Sequence, residues 1–166
     1  MTITLEQLLL SRDNRQEHQR ILLKNNPDKT LICLTVIMPG NVKRNCFSLT
    51  VAQEALKAIK KTFPLVLDIE TKDLPTGFEA YILTDTDIKE TKLKCCEIED
   101  THPLGRLFDI DVIDKDMQPL SRLQVGKKPR KCLLCEHEAR YCMRNRTHTQ
   151  EEIGQYIENL LKPYVH

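Results

Sequence analysis

The spacing of apolar positions changes several times along the chain, and each change marks an expected element. Thr4 and Gln7 have the spacing of a capping box, and Leu5, Leu8, Leu9, Ile21, Leu22 and Leu23 predict helical segments up to Asn25. Asn25-Asn26-Pro27-Asp28 reads as a turn. Residues 31–38 (LICLTVIM) are nearly all apolar and rich in β-branched side chains, as in a strand buried on both faces. Pro39-Gly40-Asn41 closes it. Within 49–61, Val51, Ala52, Ala55, Leu56 and Ile59 share one stripe, which predicts an amphipathic helix.

Residues 65–70 and 78–83 are expected strands joined through the turn-rich LPTG stretch. Residues 85–99 read as a polar helix, with strand as the alternative over 95–99. Residues 107–113 alternate apolar and acidic positions with a period of two, the pattern of a half-buried strand. Residues 114–119 read as a turn into a short strand ending near Leu123. A helix is expected over 131–144. Thr149 and Glu152 form a second capping box before a final helix with Ile153, Ile157, Leu160 and Leu161 on its apolar face. The expected fold is one α/β (α+β) domain over 1–166, a mixed sheet flanked by helices with a helical C-terminal segment.

Composition narrows the function classes. The chain has 166 residues, 40% hydrophobic and 30% charged, values of an ordinary folded protein. Lys plus Arg number 25 against 24 Asp plus Glu, and the balance argues against a general polyanion binder. No Trp and 5% aromatic residues leave few platforms for stacking bases, so nucleic-acid polymerisation is not expected. No apolar run approaches the roughly 18–20 residues that span a bilayer. The opening MTITLEQLLLSRD has neither the basic start nor the long apolar stretch of a secretory signal. Seven cysteines, odd in number and irregular in spacing, read as reduced thiols in a cytoplasmic protein.

The sharpest chemical signal is HPLGRLFDID, residues 102–111. Two residues apart on a strand, Asp109 and Asp111 project from one face, with Cα atoms about 6.5–7 Å apart. Such a pair can bracket hard divalent cations such as Mg²⁺, which prefer carboxylate oxygens and clamp attacking and leaving oxygens at a phosphoryl centre. The alternative is a half-exposed strand with a polar face. Gly105-Arg106 just upstream could approach and neutralise a phosphate.

HPLGRLFDID, SRDNRQ (11–16), the Pro-Gly followed by Lys43, and RKCLLCE (130–136) with Cys142 and His148 together resemble one family. It is the apo-citrate lyase phosphoribosyl-dephospho-CoA transferases, also called holo-citrate lyase acyl-carrier-protein synthases. The resemblance runs from about residue 5 to the C-terminus. It implies transfer of a 2′-(5″-phosphoribosyl)-3′-dephospho-CoA group from its triphosphoribosyl precursor to a serine of the citrate lyase acyl carrier protein (γ subunit), with release of diphosphate. It also implies a Mg²⁺-dependent, nucleotidyltransferase-like enzyme in which Asp109 and Asp111 bind metal and Arg106 steadies phosphates. The nucleotidyltransferase pattern sets its glycine pair well upstream of the acidic residues, whereas Gly105-Arg106 lies just before Asp109. Asp68, Glu70 and Glu79 are candidates for a third carboxylate.

Other residues have two readings each. Arg12, Asp13 and Arg15, at an expected helix interruption, form either a bidentate phosphate site or a solvated charge cluster. Lys43 after Pro39-Gly40 marks a phosphate-facing loop or an ordinary turn. Arg122 is a phosphate partner or a surface charge, and His102 a proton acceptor and phosphate ligand or a structural histidine. Cys132, Cys135, Cys142 and His148 have the residue types of a Cys₃His zinc site. A continuous helix over 131–144 would instead set Cys132 and Cys142 about 15 Å apart along its axis, too far to share one ion. Lys127-Lys128 with Arg130-Lys131 is the densest basic run, a docking patch for an acidic carrier or a solvated face. Two other functions stay open: the equivalent transferase for another carrier, such as that of malonate decarboxylase, and a non-enzymatic zinc-stabilised interaction module.

Overall fold

The computed structural model describes residues 2–164, the side chains of Val66 and Leu67 excepted. Helix α1 (Leu5–Asn25) is opened by Thr4, whose side chain accepts from the Gln7 amide while Gln7 reaches back to the Thr4 amide. It runs without the interruption expected near Arg12, because neither Asp13 nor any residue from Ser11 to Gln16 breaks helical hydrogen bonding. The chain then forms β1 (Thr30–Val36), α2 (Cys46–Thr62), β2 (Val66–Leu74), β3 (Gly77–Thr84), α3 (Ile88–Thr101) and β4 (Phe108–Ile113). Helices α4 (Ala139–Asn145) and α5 (Gln150–Leu161) follow.

The sheet has the order β2-β3-β1-β4. Every neighbouring pair is antiparallel, so the α+β expectation holds but the sheet is not mixed. Both helical crossovers skip a position: α2 leads from β1 to β2 with β3 between them, and α3 leads from β3 to β4 with β1 between them. This is the split βαβ, ferredoxin-like order. Strand order alone does not carry the nucleotidyltransferase-like architecture implied by the resemblance.

One face of the sheet buries Ile32, Leu34, Ile82, Phe108, Ile110 and Val112 against Val51, Ala55 and Ile59 of α2 and Cys95 and Ile98 of α3. Ile157 and Leu161 of α5 complete that core. Leu31, Cys33, Tyr81, Leu83 and Ile113 point the other way, where Leu22 and Leu23 of α1 pack on them. Covered on both faces, β1 is apolar at nearly every position, as its sequence requires.

Strand β4 lies at the edge, and charged side chains satisfy its outward groups. Glu99 Oε1 accepts from the Ile110 amide at 3.0 Å, Lys92 Nζ donates to Ile110 O at 3.4 Å, and Arg130 donates to Phe108 O at 2.7 Å. An edge so occupied cannot recruit a foreign strand.

The helix expected over 85–99 forms as α3 and includes 95–99, where Cys95 and Ile98 belong to its buried stripe, so the strand alternative does not hold. Two other expected elements differ. The strand expected before Leu123 is reduced to a bridge between Ile113 and Pro119, because Pro119 has no amide to extend a ladder. Residues 131–138 are not helical. The Cys132 amide bonds His137 O and Lys131 bridges Glu138, which folds this segment back on itself, and a helix begins only at Ala139.

Candidate active site

The strand registers assemble two polar rows on the sheet face beneath α1. Lys72 pairs with Glu79, Glu79 with Thr35, and Thr35 with Asp109. One step along, Glu70 pairs with Tyr81, Tyr81 with Cys33, and Cys33 with Asp111. Asp109 and Asp111 therefore project from β4 to the same side, as the period of two requires, while Phe108 and Ile110 face the α2–α3 core. Thr35 Oγ1 donates to Asp109 Oδ2 at 3.2 Å.

Two strands from Asp109, hence about 10 Å at the backbone, stands the buried carboxylate of Glu79. It accepts from Arg15 Nε at 2.9 Å and from the Tyr81 hydroxyl at 2.5 Å. The adjoining cleft of about 210 Å³ is lined by Arg15, Thr35, Lys43, Thr76, Phe78 and Glu79. Lys43 Nζ donates to Met38 O at 2.6 Å, which fixes its amine at the mouth. Burial depresses the Lys43 pKa. Two cations thus flank a cleft connected through Thr35 to the acidic pair.

Asp111 is held above the usual carboxylate range, first by burial and then by the neighbouring charge of Asp109; Lys92, Arg15 and Arg130 oppose this. Arg130 Nη1 approaches Asp109 Oδ1 at 3.6 Å and Glu99 Oε1 at 3.8 Å. Burial also raises Glu99, against Arg130, its hydrogen bond from Ile110, Lys92 and Arg122. Burial and the charge of Asp109 together outweigh the site's own cations at Asp111, and the donor set is all hard oxygen. Asp109 and Asp111 are thus the residues that could hold a hard divalent cation such as Mg²⁺.

Cys33 sits in the second row beside Asp111, and burial pushes its thiol up to about 12, which disfavours the thiolate. Glu70 is held by His18 at 2.9 Å and lies beyond Tyr81 from the pair. Asp68 is exposed on the outermost strand.

Several residues expected at the site are engaged elsewhere. Arg106 donates to Cys132 O at 2.6 Å and does not join the aspartates. Gly105 is buried against α3: a Cβ there would fall 2.3 Å from Glu99 O, so close helix packing rather than phosphate approach requires glycine. His102 accepts the Leu104 amide at Nδ1 and stacks on Phe108 on the opposite side of the sheet. Burial lowers its pKa. Arg122 is paired with Glu99 at 2.8 Å and Asp100 at 2.5 Å. Arg12 is exposed on α1 and its side chain makes no hydrogen bond or ion pair among the described residues, whereas Arg15, three residues on, turns into the cleft.

The basic run divides likewise. Lys131 pairs with Glu136, and Arg130 turns inward to the β4 edge. Cys132, Cys135, Cys142 and His148 place one ligand atom each within 4.8 Å of one another. The fold-back at 131–138 removes the axial separation that a continuous helix would impose.

Sequence reasoning did not reach the roles of Thr35, Lys92, Glu99 and Arg130 around β4. A threonine within an apolar strand and a glutamate on a helix carry no local mark of such contacts.

Comparison with known proteins agrees with the motifs. Residues 3–164 match the sequence profile of the apo-citrate lyase phosphoribosyl-dephospho-CoA transferases. Proteins of that name from Escherichia coli O9:H4 (strain HS) and Shigella boydii serotype 18 (strain CDC 3083-94 / BS512) are each 34% identical over 164 residues. Each alignment covers 96% of this chain and 88% of the relative. With the paired aspartates on one strand face and a match along nearly its whole length, this chain belongs to the apo-citrate lyase phosphoribosyl-dephospho-CoA transferase family.

Proposed function

We propose that this protein transfers the phosphoribosyl-dephospho-CoA group from its triphosphoribosyl precursor to a serine of the citrate lyase acyl carrier protein. The observation that carries the reading is the continuity of acid and cation: Asp109 is bonded to Thr35, and Thr35 lines the cleft that Arg15 and Lys43 enter. A polyphosphate needs cations along its length, and attack on phosphorus needs carboxylates at the reacting end.

In this reading Arg15 and Lys43 bind the phosphate chain. Arg15 meanwhile keeps its bond to Glu79, so its guanidinium is already oriented before substrate arrives. Asp109 and Asp111 hold Mg²⁺, which when bound neutralises phosphate charge at the reacting centre. The carrier serine oxygen attacks the phosphorus borne by the ribose 5″-oxygen. A new P–O bond to serine forms as the bond to the bridging oxygen breaks, and diphosphate departs with that electron pair. The serine proton passes to Asp109, the carboxylate that Thr35 orients. This is nucleotidyl-type transfer within one domain spanning 1–166, and the reduced thiols suit a cytoplasmic setting.

The experiment is intact-mass analysis of apo citrate lyase carrier protein after incubation with this protein, Mg²⁺ and the precursor. A gain equal to the prosthetic group is expected. The malonate decarboxylase carrier runs beside it, and modification of that carrier alone would overturn the citrate lyase assignment.

A further inference from the structure

We propose that Cys132, Cys135, Cys142 and His148 bind one tetrahedral Zn²⁺, and that this ion fixes the segment carrying Arg130 against the edge of β4. The distances suit the ion. Bonds of about 2.3 Å to sulfur and 2.0–2.1 Å to nitrogen set tetrahedral S···S and S···N edges of about 3.8 and 3.6 Å. Cys135 Sγ lies 3.5 Å from Cys142 Sγ and 3.4 Å from His148 Nε2. All four ligand atoms fall within 4.8 Å of one another. Three thiolates and one imidazole form a soft, closed set of the kind that holds zinc structurally, distinct from the hard oxygen pair on β4.

The backbone around the cluster agrees. In the Cys132–Cys135 turn the Leu134 amide points at Cys132 Sγ, 3.5 Å away, an arrangement that supports a thiolate. The ligands come from three places: the fold-back before α4, α4 itself, and the link into α5.

The surrounding segment has little else to hold it. From Gly126 to Thr149, Cys142 is the only buried residue, and Leu133 alone there packs partly on the main core. A stretch with so little apolar burial does not keep one shape without a cross-link. Yet its contacts with the site are specific. Arg130 donates to Gly105 O, Arg106 O and Phe108 O, and stands 3.6 Å from Asp109 Oδ1. Arg106 donates back to Cys132 O. The cluster thus ties an otherwise unsupported loop to the strand that bears the acidic pair, whatever reaction that pair performs.

The test uses the full-length protein produced in zinc-supplemented medium and purified without chelator. One equivalent of zinc by elemental mass spectrometry is expected, and cobalt exchanged into the site should show the intense visible bands of a tetrahedral thiolate complex. Cys135→Ser should lose the metal, whereas His148→Cys, which supplies a fourth thiolate, should keep it; the second variant separates loss of ligand from loss of fold. Stripping zinc with a strong chelator should speed amide exchange across 127–149 by about tenfold or more, while β1 and β3 stay protected. Protein that carries no zinc would overturn the proposal, as would a Cys135–Cys142 disulfide in the intact mass, or exchange in 127–149 that chelation leaves unchanged.

Discussion

Thr35 on the central strand donates a hydrogen bond to Asp109 on the edge strand, 3.2 Å from Oγ1 to Oδ2. The two are directly paired in the β1–β4 register, so the bond follows from strand alignment rather than from a loop. It holds Asp109 while leaving its other oxygen, Oδ1, toward Arg130. Thr35→Val keeps the β-branched shape and removes the donor. We expect a fall in transfer rate of about 10- to 100-fold, the order of one hydrogen bond to a charged group, with little change in stability, measured by single-turnover carrier modification.

Arg15 and Glu79 form the best-buried ion pair near the cleft, Glu79 being only 4% exposed. Arg15→Ala strands that carboxylate. Breaking a buried pair costs about 3–5 kcal/mol, and the partial exposure of Arg15 places this pair near or below the lower end. Urea unfolding should show the loss, and the double variant with Glu79→Gln should recover part of it.

Asp111 makes the metal-free protein sensitive to pH. Its folded-state pKa is raised by burial and by Asp109, so the native state retains a proton that the unfolded chain releases. Stability therefore falls as pH rises from the ordinary carboxylate range through the raised value. Asp111→Asn should flatten that part of the profile. Mg²⁺ competes with the same proton, so its affinity should increase across that interval; isothermal titration at several pH values measures it.

Gly105 separates two roles for the residues preceding β4. Because Glu99 O lies 2.3 Å from where a β-carbon would stand, Gly105→Ala must push α3 from the sheet. A loss of about 1–3 kcal/mol is expected, with transfer per folded molecule unchanged. Full stability with a raised KM for the precursor would instead place Gly105 at the phosphates.

Elements whose signals are local were legible in the sequence. The capping boxes Thr4–Gln7 and Thr149–Glu152 both form, and the alternation of residues 108–113 sends Asp109 and Asp111 to one face. The rows that make the site were not legible, because Lys72, Glu79, Thr35 and Asp109 are joined only by register between strands far apart in the chain. The cysteine segment misled through its spacing. Positions 132, 135, 139 and 142 fall on one helical stripe, yet the three cysteines among them converge once the chain folds back at His137. Gly105-Arg106 looked like a phosphate loop because a glycine required by a helix carbonyl and one required by a ligand read alike.

The most direct measurement is the rate of carrier modification by Asp109→Asn, read by intact mass with saturating Mg²⁺ and precursor. Its fold is verified by urea unfolding, and the wild-type protein runs in parallel. A fall of about 10²–10⁴-fold with the fold intact is predicted, as for loss of a group that takes a proton in the transition state. A wild-type rate from a correctly folded Asp109→Asn protein would contradict the assignment of the acidic pair as the reacting centre.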